Sequence, residues 1–225
     1  MPETKDYQSG KPYLDLPDYK GPFRPGLRYE DFNKERLAAM YNAVGKMFLT
    51  IDACWERYIE KKYGWQEALA GHINVWCEQM SYPEWNLMYD ALGIKGENDL
   101  VAVMKHNQFD PGWPYPLFEA RFEMPDKEHG ICTVYKCSAV DYWERHGKVE
   151  HLVDICFKME PEAFENYTKL VNPQITSRAL KRPPRKDKND ICCKWEYTYI
   201  KNAMKEWPKS DWQERWKNWT EKDLK

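Results

Sequence analysis

A change of period divides this chain. Up to the loop "DPGWPYP" the apolar residues recur at three- and four-residue steps. Beyond it Phe118, Ala120, Phe122 and Met124 alternate with Glu119, Arg121 and Glu123. A helix brings side chains back to one face every three to four residues and a strand every two, so helices precede an antiparallel sheet.

In the helical half, Leu37, Met40, Tyr41, Val44, Met47, Phe48, Ile51, Trp55, Tyr58 and Ile59 predict a long helix between Tyr29 and Tyr63, stopped by Gly64. Trp65, Leu69, Ile73, Trp76 and Met80 repeat the pattern. "SYPEWNLMYDALG" then restarts it, with Ser81 as N-cap, Pro83 near the first turn and Gly93 as stop. "ENDLVAVMKHNQF" fits another short helix.

Past the loop, "PDKEHG" turns the first strand into "ICTVYKCSA" as a hairpin. "VDYWERHG" and "VEHLVDICFKMEPEAFENYTKLV" read as helices. "ITSRALKR" and "DICCKWEYTY" read as two further strands joined by "PPRKDKN". The expected fold is α+β, with N-terminal helices on one face of about four antiparallel strands and further helices between the two hairpins.

A chain of 225 residues suits one core, placed here at 28–202. Residues 1–27 hold Pro, Gly and aromatic residues that suit an extended arm lying on a surface. In 203–225, Trp212, Trp216 and Trp219 at helical spacing suit an amphipathic helix docking on the body or on another subunit. Arm and tail are therefore the expected route to a homo-oligomer.

With 34 basic and 36 acidic residues, the chain lacks the positive excess that binding a phosphate backbone requires, so nucleic acid is not an expected partner. The start has no signal-peptide core, and no apolar run approaches the length of a membrane span, so a cytoplasmic protein without a membrane partner is expected. Seven cysteines, an odd number, then read as reduced thiols. No Gly-rich phosphate loop, Ser nucleophile elbow, HExxH or EF-hand pattern occurs, which disfavours nucleotide chemistry. No cofactor is expected.

The adjacent cysteines of "NDICCKWEYTY" do not act as a pair. In an extended strand Cys193, Trp195 and Tyr197 share one face, and Cys192, Lys194 and Glu196 the other. Cys132, Cys137, Cys156 and Cys192 lack paired C-x2-C knuckles or a His-x3-His partner, so no metal site is expected from them. Cys137 ends its strand on the face of Ile131, Thr133 and Tyr135. Cys156 lies on the helical stripe Leu152, Val153, Cys156, Phe157.

Cys193, Cys137 and Cys156 are thus candidates either for a pocket or for ordinary core packing. His72, beside Leu69, Ile73 and Trp76, is a candidate base or a satisfied core histidine. His106 and Asp110 bracket a helix end at an aromatic pocket rim. Arg121 is expected to pair with Glu196 or Glu119, or to bind a substrate carboxylate. His151 and Asp154 are expected on the solvated side of their helix.

The stretch "VYKCSAVDYWERHGKVEHLVDIC", followed later by "KNDICCKWEY", resembles the L-2-amino-thiazoline-4-carboxylic acid hydrolase-like family. "DACWERYIEKKYGWQEALAGHINVW" is similar to the helical half of such proteins. More distantly, the layout resembles 4-vinyl-reductase-type ligand-binding domains.

The resemblance implies that Cys137, Cys156 and Cys193 occupy the family's cysteine positions. The implied chemistry is hydrolytic opening of a small C=N or amide-like ring, by a thiolate or by water activated by a base such as His72. Trp195, Tyr197, Tyr135, Trp76, Arg121 and His106 would then bind the small-molecule substrate. The alternative is a non-catalytic binding or sensory module holding an aromatic or tetrapyrrole-like ligand. A thiol nucleophile requires one thiol of lowered pKa near a histidine or a cation, whereas a binding module needs only apolar walls.

Overall fold

The helix over 34–63 ends where Gly64 adopts φ 94°, a left-handed conformation open to glycine and strained for other residues. A computed structural model describes residues 13–201. Its elements are α1 (Lys34–Tyr63), α2 (Trp65–Ile73), α3 (Ser81–Ala91), α4 (Leu100–Asn107), β1 (Phe118–Glu123) and β2 (His129–Cys137). They continue with α5 (Ser138–Arg145), α6 (Val149–Asp154), α7 (Glu160–Val171), β3 (Ile175–Lys181) and β4 (Cys193–Tyr199). The chain is α+β, and the four antiparallel strands lie in the order β1-β2-β4-β3.

Two π-helical turns interrupt the helices. Asn74–Gln79 links α2 to α3, and Ile155–Met159 links α6 to α7. They touch: the Cys77 thiol donates to the Met159 carbonyl at 3.5 Å, and Asn166 Nδ2 donates to the Cys77 carbonyl at 3.1 Å. A π turn carries one extra residue, which reorients the side chains around it and recurs at functional sites. Because the first turn feeds directly into α3, Met80 stays helical and Ser81 does not cap. Ser81 Oγ instead donates back to the carbonyls of Cys77, at 2.6 Å, and Trp76, at 3.1 Å.

The inner face of the sheet follows from register. Val134 pairs with Cys193, Cys132 with Trp195 and Gly130 with Tyr197, so these residues share one face. Gly130 lets α4 approach closely, since a Cβ there would meet Met104 Sδ at 2.6 Å. α7 lies against β3, and α4 packs on β2 and β4.

The outer face carries Glu119, Arg121, Glu123, Tyr135 and Arg178. Arg121 is exposed and pairs with Glu123 at 3.0 Å, correcting the expected partners; Glu196 is taken by Arg178.

A β-bulge changes the expected side of Cys137. Glu119 pairs with Lys136 and Ala120 with Val134, which leaves Tyr135 as the extra residue of β2. Cys137 then pairs with Phe118 and moves from the face of Ile131 and Thr133 to the inner one.

α1 packs chiefly along α2. Its buried residues are Gly45 and Glu56, whereas Val44, Met47, Ile51, Trp55 and Tyr58 are exposed. Gly45 seats the loop before β1, since a Cβ there would meet Pro114 Cβ at 2.5 Å. Farther along, Glu60 accepts from Lys148 at 2.7 Å and contacts His151 at 3.0 Å. His151 is buried and lies 3.9 Å from the Trp65 ring, and Trp65 Nε1 donates to Asp154. That corrects its expected solvated placement: the Trp65 ring covers it.

Of the expected arm, Leu16 bridges to Phe32 and Arg36 donates to the Pro17 carbonyl, which lays this stretch beside the start of α1. The expected tail helix lies outside the described residues.

Candidate functional site

Between the inner sheet face, the two π turns and α1 lies a cavity of about 490 Å³. That volume lies within the roughly 300–1,000 Å³ range of small-molecule sites. The sheet contributes Phe118, Val134, Cys137, Cys193 and Trp195. Trp76, Cys156 and Met159 come from the π turns. The loop before β1 contributes Asp110, Gly112 and Trp113, the last stacked on Phe164 at 5.7 Å. The expected aromatic rim is therefore part of the cavity wall.

The three candidate thiols all line this cavity and lie within electrostatic reach of one another. Burial pushes the Cys137 thiol up to about 12 and drives those of Cys156 and Cys193 upward as well. Arg182 pulls Cys156 back only in part. None has the lowered pKa of an activated nucleophile. Cys192 does not line the cavity; it is buried, with its thiol directed at the Tyr135 carbonyl.

His72 lines the cavity on a carboxylate clamp built by α1. Its Nε2 lies 3.1 Å from Asp52 Oδ2, and its Nδ1 3.5 Å from Glu56 Oε2. Trp76 Nε1 donates to the other oxygen of Asp52. Burial alone lowers the histidine's pKa, but the Asp52 bond and the charges of Asp52 and Glu56 outweigh it and leave the pKa raised. With both ring nitrogens facing carboxylates, His72 serves better as a buried cation than as a free base.

Three further acidic residues line the cavity. Glu160 opens α7, and its carboxyl has no hydrogen-bond or ion-pair partner among the described residues. Burial, with Asp110 adding and His72 opposing, pushes it up to about 7. Burial raises both Glu84 and Asp110; the Asp110 charge pushes Glu84 higher, whereas the Gly112 N–H and the Glu84 side chain pull Asp110 partly back.

Behind them His106 is fully buried, with its Nε2 3.7 Å from Glu84 Oε1. Burial lowers it to about 4, offset in part by Asn107. The ligand atoms of Glu84, His106 and Asp110 all lie within 4.8 Å of one another, a spacing that can hold a metal ion.

Among the expected binding residues, Trp195 and Trp76 reach the cavity. Tyr197 is buried beside it under Phe164, His106 lies behind Glu84, and Tyr135 and Arg121 face outward. Arg182 also lines the cavity. Its guanidinium lies over the rings of Phe157, at 4.7 Å, and Trp195, at 5.9 Å, and pairs with no carboxylate among the described residues.

Glu160 was legible in principle, because it follows Cys156 by four residues on an apolar stripe where a carboxylate is out of place. Glu56 and Asp52 carried the signal of an acidic row opposite the apolar stripe of α1. Arg182 carried none, since it follows a strand in a basic loop.

Fold and cavity together define an α+β protein with an acidic, thiol-lined interior site. The chain belongs to DUF6125, a family of unknown function, whose model matches residues 30–199. None of the curated proteins and none of the solved structures matches it.

Proposed function

We propose that this protein hydrolyses a small ring bearing a basic C=N or amide-like group, using a cavity carboxyl rather than a thiol to activate water. The observation that carries the reading is Glu160. It is a carboxyl lining the cavity, without a hydrogen-bond or ion-pair partner among the described residues and within electrostatic reach of all three thiols and of His72. A half-buried carboxyl free to exchange a proton near neutrality suits general acid–base work.

An amidine is cationic near neutral pH, and Asp52, Glu56, Glu84, Asp110 and Glu160 all line the same cavity. Arg182 offers a complementary site for a carboxylate substituent on the ring. Water's oxygen bonds to the carbon of the protonated C=N as the π pair moves onto its nitrogen, and water's proton passes to the Glu160 carboxylate. That proton then moves to the ring heteroatom as its bond to the same carbon breaks, and the hydroxyl left on the carbon becomes a carbonyl by releasing its proton to solvent, which opens the ring and restores Glu160. The protonated thiols supply polarisable wall.

Incubating the purified protein with 2-aminothiazoline-4-carboxylate and with cyclic amidines lacking the carboxylate, and following the gain of one water by mass spectrometry, tests this. Ring opening by the wild type, its loss in Glu160→Gln and its persistence in Cys193→Ser are the expected results. Saturable binding of these rings without any opening would overturn the hydrolytic reading and assign the cavity to a non-catalytic binding module.

A further inference from the structure

We infer that Glu84, His106 and Asp110 form a binding site for a divalent first-row transition-metal ion in the wall of the cavity. The three come from separate places: the first turn of α3, the last turn of α4 and the loop that follows it. One ligand atom from each lies within 4.8 Å of the other two. An ion held about 2.1 Å from each ligand needs them within roughly 4.2 Å of one another. Side-chain rotation that draws the three ligand atoms together completes the set.

His106 is the second, independent observation. It is fully buried, and neither ring nitrogen has a hydrogen-bond partner among the described residues. A buried polar group is normally satisfied, and an orphan of this kind calls for a bound group. Its Nε2 faces Glu84 at 3.7 Å, and the ring is fixed by stacking on Tyr167, with centroids 4.4 Å apart. Such an imidazole is preset to ligate.

The carboxylates are held as well. Asp110 Oδ1 accepts the Gly112 N–H at 2.6 Å, and a Cβ at Gly112 would meet that same oxygen at 3.0 Å. No Lys or Arg pairs with Glu84 or Asp110 among the described residues. Two half-buried carboxylates side by side without a cation are costly, and an ion balances them.

Imidazole with two carboxylates suits Zn²⁺, Mn²⁺ or Fe²⁺ better than Mg²⁺ or Ca²⁺, which favour all-oxygen sites. Glu84 and Asp110 line the cavity, so coordination positions left open by three protein ligands face its interior. The cysteine spacing that argued against a metal does not bear on this carboxylate–imidazole set.

The test reads metal rather than turnover, so it stands or falls separately from the hydrolytic reading. Chelator-treated full-length protein is titrated with Co²⁺, followed by visible absorption, and with Zn²⁺ and Mn²⁺, followed by calorimetry. The expected result is one ion per chain. Asp110→Asn and Glu84→Gln, which preserve shape, should weaken binding by at least roughly a hundredfold, the upper end of what losing a mere outer-shell partner costs. His106→Gln should do the same while its circular dichroism matches the wild type. No saturable binding by the wild type, or binding undiminished in Asp110→Asn and Glu84→Gln, overturns the inference.

Discussion

The outer stripe of α1 and the cavity beneath the same helix invert the usual arrangement. Val44, Met47, Ile51, Trp55 and Tyr58 stand in the open, each more than half exposed, while Asp52 and Glu56 on the opposite side turn inward to hold His72. Burying charge costs far more than leaving apolar side chains exposed. The cavity side therefore carries selected chemistry, and the stripe does not define the core.

The largest effect that sharpens this contrast belongs to Glu160. Replacing it by Gln should lower ring hydrolysis by about 10²–10⁴-fold, the usual contribution of a general acid–base group. Steady-state kinetics against the wild type reads this directly. The same variant should unfold at higher denaturant than the wild type at pH 8, because it removes a buried ionised group.

The pH dependence of stability follows from the same group. The folded pKa of Glu160, about 7, lies above its ordinary 4.5. Its stabilising contribution is therefore fully present below pH 4.5 and is lost as pH rises through 7, amounting to about 3 kcal/mol. Glu56, Glu84, Asp110 and His72, all raised, act with the same sign. His106, lowered to about 4, opposes them and offsets about one such group. Urea unfolding of the metal-free protein should show less stability at pH 8 than at pH 5. A flat or rising profile would contradict the buried-acid picture.

Packing gives a smaller effect. Gly45→Ala forces a Cβ against Pro114 and should cost about 1–3 kcal/mol, as overpacking does. Thermal unfolding measures it. The smallest effect belongs to the stripe: Ile51→Lys or Trp55→Lys should change the monomer's stability by no more than about 0.5 kcal/mol, as exposed positions do. A loss several times larger would mean that this face is covered.

Periodicity carried most of the fold. The change at "DPGWPYP", the hairpins and the shared face of Cys193, Trp195 and Tyr197 all follow from repeats of two or of three to four residues. What periodicity cannot carry is sign and interruption. It located the stripe of α1 but not which way the stripe faces. It also placed Cys137 on the wrong side, because one extra residue at Tyr135 reverses every side chain after it.

The site was half legible. The thiols, His72, Trp76 and Trp195 reach the cavity, while Tyr135 and Arg121 face away from it. Glu84 escaped notice because an isolated acidic residue on a helix reads as solvated until tertiary packing brings it beside others.

The central claim is that the cavity acts through its carboxyl groups and not through a thiolate. Alkylation of the native protein with iodoacetamide at pH 7, mapped by mass spectrometry, tests it most directly. The account predicts that exposed Cys54 is modified while Cys137, Cys156 and Cys193 stay unmodified until denaturation. Modification of any of those three in the folded protein at or above the rate of free cysteine would contradict it.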